Sequence, residues 1–190
     1  MNYREELQRA TDLLAKEGYI FLGQNMKHGG TSMFHMVKHL HEVQRIELPI
    51  FEDIQLCIIV GLTLEGLKIC SVYPRMDFLV LALNQLINHA DKVKTMSDGR
   101  FRLNGLIIRT AIGSTKPLMP GPQHSQDHTE ALKLMCKDIK VIKLESPEQI
   151  YPAYEEAMES DIPTIIVELP DKYNEDLKEE LINSRKEIIR

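Results

Sequence analysis

The stretch Glu47-Leu-Pro-Ile-Phe-Glu-Asp-Ile-Gln-Leu56, with the run that follows it to Phe78, decides the fold. A short apolar run, Ile46 to Ile50, carries a proline and ends against a carboxylate, Glu52. From Phe51 to Leu64 the sequence changes to a helical pattern rich in Ile, Leu and Val. Glu65-Gly66 ends that pattern, and Leu67-Lys-Ile-Cys-Ser-Val72 reads as the next strand. Strand, helix and strand in such close succession define a β-α-β unit of a parallel sheet. Glu52 is thereby set between a strand end and an apolar helix. Burial there penalises the charged form of a carboxylate and makes it easier to protonate, which is what a proton-handling group needs.

The same alternation extends in both directions. Upstream, residues 3–17 place Leu7, Ala10, Leu13 and Leu14 at helical spacing, with Gly18 as terminator. Tyr19 to Gly23 reads as a strand, and Gln24 to Ser32 as a loop at its carboxyl end, the usual place for ligands in an open parallel sheet. A helix over 33–43 follows, with Met33, Met36, Val37 and Leu40 on one side. Downstream, 73–77 is a loop and 78–95 one long helix, with Phe78 in its first turn and Leu79, Leu83, Leu86, Ile87 and Ala90 inside. Strands are expected at 106–112, 140–144 and 164–168. Between them lie a Gly- and Pro-rich loop at 113–122, a helix ending near Lys137, and a helix opened by Ser146-Pro147 with Gln149 as a near-capping box. Repeated β-α units with short apolar strands predict an α/β protein, a three-layer α/β/α sandwich around a mainly parallel sheet. Fold alone assigns no chemistry. The loops at strand ends do, through Glu52, Phe78 and Gln123-His124.

Composition narrows the classes. The 190 residues suit one core, read as a single domain over 1–170 with a charged helix or tail at 171–190. A net charge of -5 gives a nucleic acid nothing to bind, and no run approaches the ~20 apolar residues of a membrane span, so the protein reads as cytoplasmic. Cys57, Cys70 and Cys136 lie far apart in apolar contexts and read as reduced core residues, without a metal or disulfide pattern. His35 and His39 are four apart, but no HExxH or comparable carboxylate spacing accompanies them. They read as solvated helix histidines, and no metal ligand is assigned.

Pro49-Ile-Phe-Glu52, Val60-Gly61, Gly66-Leu67, Phe78, Asn84-Gln85-Leu-Ile-Asn-His-Ala90 and Gln123-His-Ser-Gln126 resemble the beta subunits of thiamine-diphosphate-dependent 2-oxo acid dehydrogenases. Spacing agrees without gaps from Pro49 to Lys92. The resemblance implies a pyrimidine-binding domain of the transketolase-like superfamily, the thiamine-diphosphate-binding fold. It implies that Glu52 hydrogen-bonds N1′ of the cofactor's aminopyrimidine and so promotes loss of the thiazolium C2 proton. It implies further that Phe78 stacks on that ring, and that His124 faces the substrate side, where it handles protons or holds a carboxylate.

The chain departs from the family at Phe51, where a small residue is usual, at Gln24, often acidic, and at Tyr73-Pro74-Arg75. Arg75 is read first as an exposed loop arginine, with a phosphate or carboxylate contact for a different substrate as the alternative. The chain ends where the family's second, carboxyl-terminal domain would begin, so it is expected to lack that domain, and it has no G-D-G…N motif. The resemblance therefore implies a diphosphate-binding partner subunit that brings Mg2+, a heterotetramer, and a chain inactive alone. Either a 2-oxo acid or a ketose remains open as substrate. The alternative is a non-catalytic scaffold or regulatory subunit that retains the fold. A flavodoxin-like binding module is the weaker rival, since no phosphate-cradling loop is evident.

Overall fold

A computed structural model of the chain describes residues 2–29, 31–115 and 119–173. Six strands, all parallel, form one sheet: β1 (Ile20–Gly23), β2 (Arg45–Glu47), β3 (Ile69–Tyr73), β4 (Ile107–Ala111), β5 (Lys140–Lys143) and β6 (Thr164–Glu168). Their order is β2-β1-β3-β4-β6-β5. From β1 the chain steps outward to β2 and then crosses back over β1 to β3. A crevice therefore opens at the carboxyl ends of β1 and β3, the switch point at which open parallel sheets bind ligands.

The central strands β3, β4 and β6 are buried along their whole length, as strands covered on both faces must be. Their alternate residues feed two cores. Cys70, Val72, Ile107, Ala111 and Ile166 face one, and Ile69, Tyr73, Ile108, Ile165 and Val167 the other. The first core is closed by α1 (Tyr3–Lys16), α2 (Ser32–Val37) and α8 (Pro147–Glu159), the second chiefly by α3 (Glu52–Leu64) and the helical segments that follow β3. Edge strands β2 and β5 are only partly buried and carry Arg45, Glu47, Lys140 and Lys143, charges that discourage pairing with a further strand.

Helix ends follow the local chemistry. The Asn2 side chain caps α1 by accepting from the backbone of Arg4 and Glu5 at 3.0 and 3.1 Å. Ser146 and Gln149 complete a reciprocal capping box on α8, with Pro147 at the first position.

Two expected helices differ. The one over 33–43 stops at Val37, and a separate 3-10 turn covers Glu42–Gln44. The long helix over 78–95 begins earlier and is broken. It comprises α4 (Met76–Leu79), a 3-10 turn Val80–Ala82, α5 (Leu83–Gln85), a π-helical turn Leu86–Ala90 and α6 (Val93–Met96). The π turn is closed by the Asp91 amide donating to the Leu86 carbonyl at 2.9 Å, an i→i+5 bond. Of the charged tail expected at 171–190, residues 174–190 lie outside the described residues.

Candidate functional site

Backbone contact at the switch point comes first. β1 ends at Gly23 with φ +148°, where a Cβ would lie 2.2 Å from the Val72 carbonyl oxygen and 2.9 Å from Gln55 Nε2. Only glycine lets β1 meet β3 there with the Gln55 side chain laid across the gap. Gln55 Nε2 donates to Ser71 Oγ at 2.9 Å and to the Val72 carbonyl at 3.1 Å. The loop after β1 is pinned by Glu47, whose carboxylate accepts the amides of Asn25, Met26 and Lys27 at 2.9, 2.7 and 2.7 Å.

Within that frame sits Glu52, buried, as the first residue of α3. A carboxylate at a helix N-terminus faces the positive end of the helix dipole. Gln24, also buried, donates from Nε2 to Glu52 Oε1 at 2.8 Å. The Tyr73 hydroxyl donates to the Glu52 carbonyl at 3.3 Å, fixing the helix start over the end of β3. Among the described residues no hydrogen bond engages Glu52 Oε2. The carboxylate is thus oriented through one oxygen, and the other is left to accept.

Phe78 and His124 meet along the same sheet edge. Phe78, in α4 just past β3, is half-buried, and its ring stands edge-on to His124 with centroids 5.6 Å apart at 84°. The loop that delivers His124 is held by Arg75, whose Nη1 donates to the His124 carbonyl at 2.9 Å. Gly113 permits this packing: a Cβ there would fall 1.5 Å from the same carbonyl oxygen. Gln126 Nε2 donates to Asp77 Oδ1 at 2.8 Å, a second tie between the loop and α4. Further along, burial pushes the Asp127 carboxyl up, but its bonds from Lys143 at 2.8 Å and the Thr129 amide at 3.0 Å outweigh that and hold it at about 2.

Phe78 and His124 are therefore brought into contact, while Glu52 takes Gln24 and Tyr73 as its partners. Arg75 corrects the expectation of an exposed loop arginine: it is half-buried and holds the His124 loop. Cys57 is also a correction. It is exposed, because it lies on the side of α3 opposite the sheet, whereas Cys70 and Cys136 are buried. His35 and His39 are both exposed, and His39 Nε2 lies 2.6 Å from Asp12 Oδ1. Among the described residues no group of three His, Cys, Asp or Glu side chains could hold a metal ion, and no helix is long and apolar enough to cross a membrane.

In the sequence Gln24 stands out only as a departure from the family, and nothing there gives Gln55 or Tyr73 a role. One signal was available for Gln55. Glu52 and Gln55, three apart, share the face of α3 that also carries Leu56 and Ile59, and polar residues on a buried face mark a built polar site.

A parallel α/β sheet with a buried, oriented carboxylate at its switch point defines a ligand-binding α/β domain. Residues 1–174 match the family described as transketolase, pyrimidine binding domain, and the chain belongs to that family. Among curated relatives, it is 29% identical over 185 residues to the pyruvate dehydrogenase E1 component subunit beta of Gracilaria tenuistipitata var. liui, covering 94% of this chain and 55% of that protein. It is 29% identical over 164 residues to the Porphyra purpurea subunit of the same name, covering 84% of this chain and 47% of that one. The chain thus spans about half the length of these relatives.

Two solved structures share the fold. A split gene transketolase, described as an inactive beta4 tetramer, superposes with a TM-score of 0.64 at 16% identity, covering 88% of this chain and 51% of that one. The transketolase of Campylobacter jejuni subsp. jejuni NCTC 11168 gives 0.66 at 15% identity, covering 88% and 25%.

Proposed function

We propose that residues 1–170 are the pyrimidine-binding domain of a split thiamine-diphosphate enzyme, and that a second polypeptide supplies the half that holds the diphosphate and its Mg2+. The observation that carries this reading is Glu52, buried at the start of α3 with one oxygen held by Gln24 and the other left to accept. The donor set fits an aminopyrimidine. Glu52 offers a carboxylate oxygen to a ring nitrogen, and Phe78 offers an aromatic face steadied by its edge contact with His124.

When bound, thiamine diphosphate supplies an acidic thiazolium carbon and an electron sink for making or breaking a carbon–carbon bond beside a carbonyl. In this reading Glu52 shares a proton with the pyrimidine ring at N1′, Phe78 fixes the plane of that ring, and His124 holds or moves a proton on the substrate side.

The partner subunit is one with a G-D-G…N motif, absent from these 190 residues, and the assembly is a heterotetramer. The inactive beta4 tetramer of the split gene transketolase supports the view that this chain alone is catalytically incomplete. The names of the pyruvate dehydrogenase relatives favour a 2-oxo acid over a ketose as substrate.

The test mixes the chain with its diphosphate-binding partner, thiamine diphosphate and Mg2+, and follows deuterium exchange at the thiazolium C2 by NMR. Glu52→Ala is expected to slow exchange by about 10²-fold or more, the scale of a positioned acid–base group. Equal exchange in wild type and variant would overturn the catalytic assignment and leave the scaffold reading.

A further inference from the structure

We infer, resting on the function proposed above, that Arg75 selects the substrate: its guanidinium binds a second carboxylate, at the end of a 2-oxo acid remote from the reacting carbonyl. The substrate class narrows from a 2-oxo acid to a 2-oxo dicarboxylic acid.

Arg75 stands just past the carboxyl end of β3, and its carbonyl accepts the Phe78 amide at 3.1 Å, so one turn fixes the arginine relative to the ring. The side chain reaches across to the end of β4. There Nη1 donates to the His124 carbonyl at 2.9 Å, and a Cβ on Gly113 would fall 2.5 Å from the same nitrogen. The head group is thus wedged between Gly113 and His124, beside the Phe78–His124 ring pair. Among the described residues this is the only hydrogen bond Arg75 makes, and no carboxylate pairs with it, although the residue is half-buried. Acids nearby are engaged elsewhere. Asp53 accepts from Gln85 at 3.2 Å, Asp77 from Gln126 at 2.8 Å and Asp127 from Lys143 at 2.8 Å. Neither Nε nor Nη2 is among the buried atoms that lack a partner, so this edge of the guanidinium is open to an incoming group.

A partly desolvated cation without a counter-ion is unfavourable until an anion reaches it. Its place beside His124, on the substrate side, makes that anion a part of the substrate. The open Nε–Nη2 edge is the flat fork that receives both oxygens of a carboxylate. Charge decides between carboxylate and phosphate. The Arg75 cation balances the single charge of a carboxylate, whereas a phosphate monoester carries about −1.5 to −2. Lys143, beyond the His124 loop, is already paired with Asp127 and supplies no second free cation. Arg75 is also a point where the chain departs from its family, as a residue that changes specificity without touching the cofactor would.

The test compares 2-oxoglutarate with 2-oxopentanoate, which differ only in the remote carboxylate, by the rate of CO2 release in a single turnover at subsaturating acid. The enzyme is the proposed complex with a diphosphate-binding subunit, thiamine diphosphate and Mg2+. A preference of about 10²-fold for 2-oxoglutarate is expected, the scale of a charged hydrogen-bonded contact. Arg75→Met should reduce the ratio to near one, and Arg75→Lys, which keeps the charge and loses the fork, should give an intermediate ratio. A loosened His124 loop would slow both acids alike and leave the ratio unchanged. Binding is read separately by calorimetry with glutarate and pentanoate, which lack the reacting carbonyl. Glutarate is expected to bind at least 10-fold more tightly, and Arg75→Met to remove the difference.

No preference for 2-oxoglutarate in the wild type, or an undiminished ratio in a folded Arg75→Met, would overturn the inference. Tighter binding of inorganic phosphate than of glutarate, lost in Arg75→Met, would overturn the choice of a carboxylate. The two proposals fail separately. C2 exchange that needs Glu52 without any preference between the acids condemns Arg75 alone, and Arg75-dependent glutarate binding with exchange indifferent to Glu52 condemns Glu52 alone.

Discussion

Glu52 and Gln24 show how one side chain fixes the use of another. A buried carboxylate with no partner pays a desolvation cost that a hydrogen bond to its charged form offsets. Gln24 supplies that bond at 2.8 Å and, as a neutral donor, places no second negative charge beside the first. Gln24→Leu should therefore leave Glu52 present but unsteered. In the proposed complex with a diphosphate-binding subunit, the C2 exchange rate is expected to fall about 10-fold, less than for Glu52→Ala, since only orientation is lost. Thermal unfolding checks that the variant remains folded, and exchange at the wild-type rate would remove Gln24 from the site. The position of Glu52 was legible in the sequence because a proline-bearing apolar run stops against it and a helix begins there. Its partner was not legible. Gln24 is 28 residues upstream on another strand end, and nothing in local spacing announces that the order β2-β1-β3 will bring them together.

Among the elements, the helix after β3 is broken into α, 3-10 and π turns. Its sequence has continuous helical spacing from Phe78 to Thr95, which is why one helix was expected. The π turn at Leu86–Ala90 adds a residue to the register and carries Asp91 into the interior. There the Asp91 carboxylate accepts the amides of Lys137 and Asp138, each at 2.7 Å, and pairs with Lys92. It thereby ties the end of this helix to the segment between α7 (Thr129–Met135) and β5. Periodicity reads which face is apolar and has no term for a carboxylate needed elsewhere in the fold. Asp91→Ala removes the acceptor of two part-buried amides, those of Lys137 and Asp138, and hydrogen bonds to a charged group contribute about 1.5–3 kcal/mol each. A loss of about 3 kcal/mol in unfolding free energy is expected, measured by urea denaturation. A loss under ~1 kcal/mol would mean that the π turn serves something other than this tie.

Across the whole molecule, the face of the sheet opposite Glu52 is organised by a buried ion pair that no short-range pattern reveals. Arg109 of β4 and Glu168 of β6 are both buried, with Nε to Oε1 at 2.7 Å. Glu168 Oε1 also accepts the Tyr154 hydroxyl at 2.7 Å, and Oε2 accepts that of Tyr173. Arg109 Nη1 reaches Thr11 Oγ1 of α1 at 3.1 Å. Tyr173 stacks on Tyr3, centroids 5.7 Å apart, and the Tyr3 hydroxyl donates to the Leu144 carbonyl at 2.8 Å. Two strands, α1, α8 and both ends of the described chain are therefore joined through one charge pair. Desolvating both ions costs nearly what their attraction returns, so the pair adds little net stability, yet each ion depends on the other. Arg109→Met strands Glu168 in the interior and is expected to lower the unfolding free energy by about 3–5 kcal/mol. Adding Glu168→Met should restore more than half of that loss, but not all, because the Tyr154 and Tyr173 hydroxyls then lose their acceptor. Denaturant unfolding of the two single variants and the double variant gives the coupling directly. Additive losses would show that the two charges act independently, and the network would then not be what joins the ends of the chain.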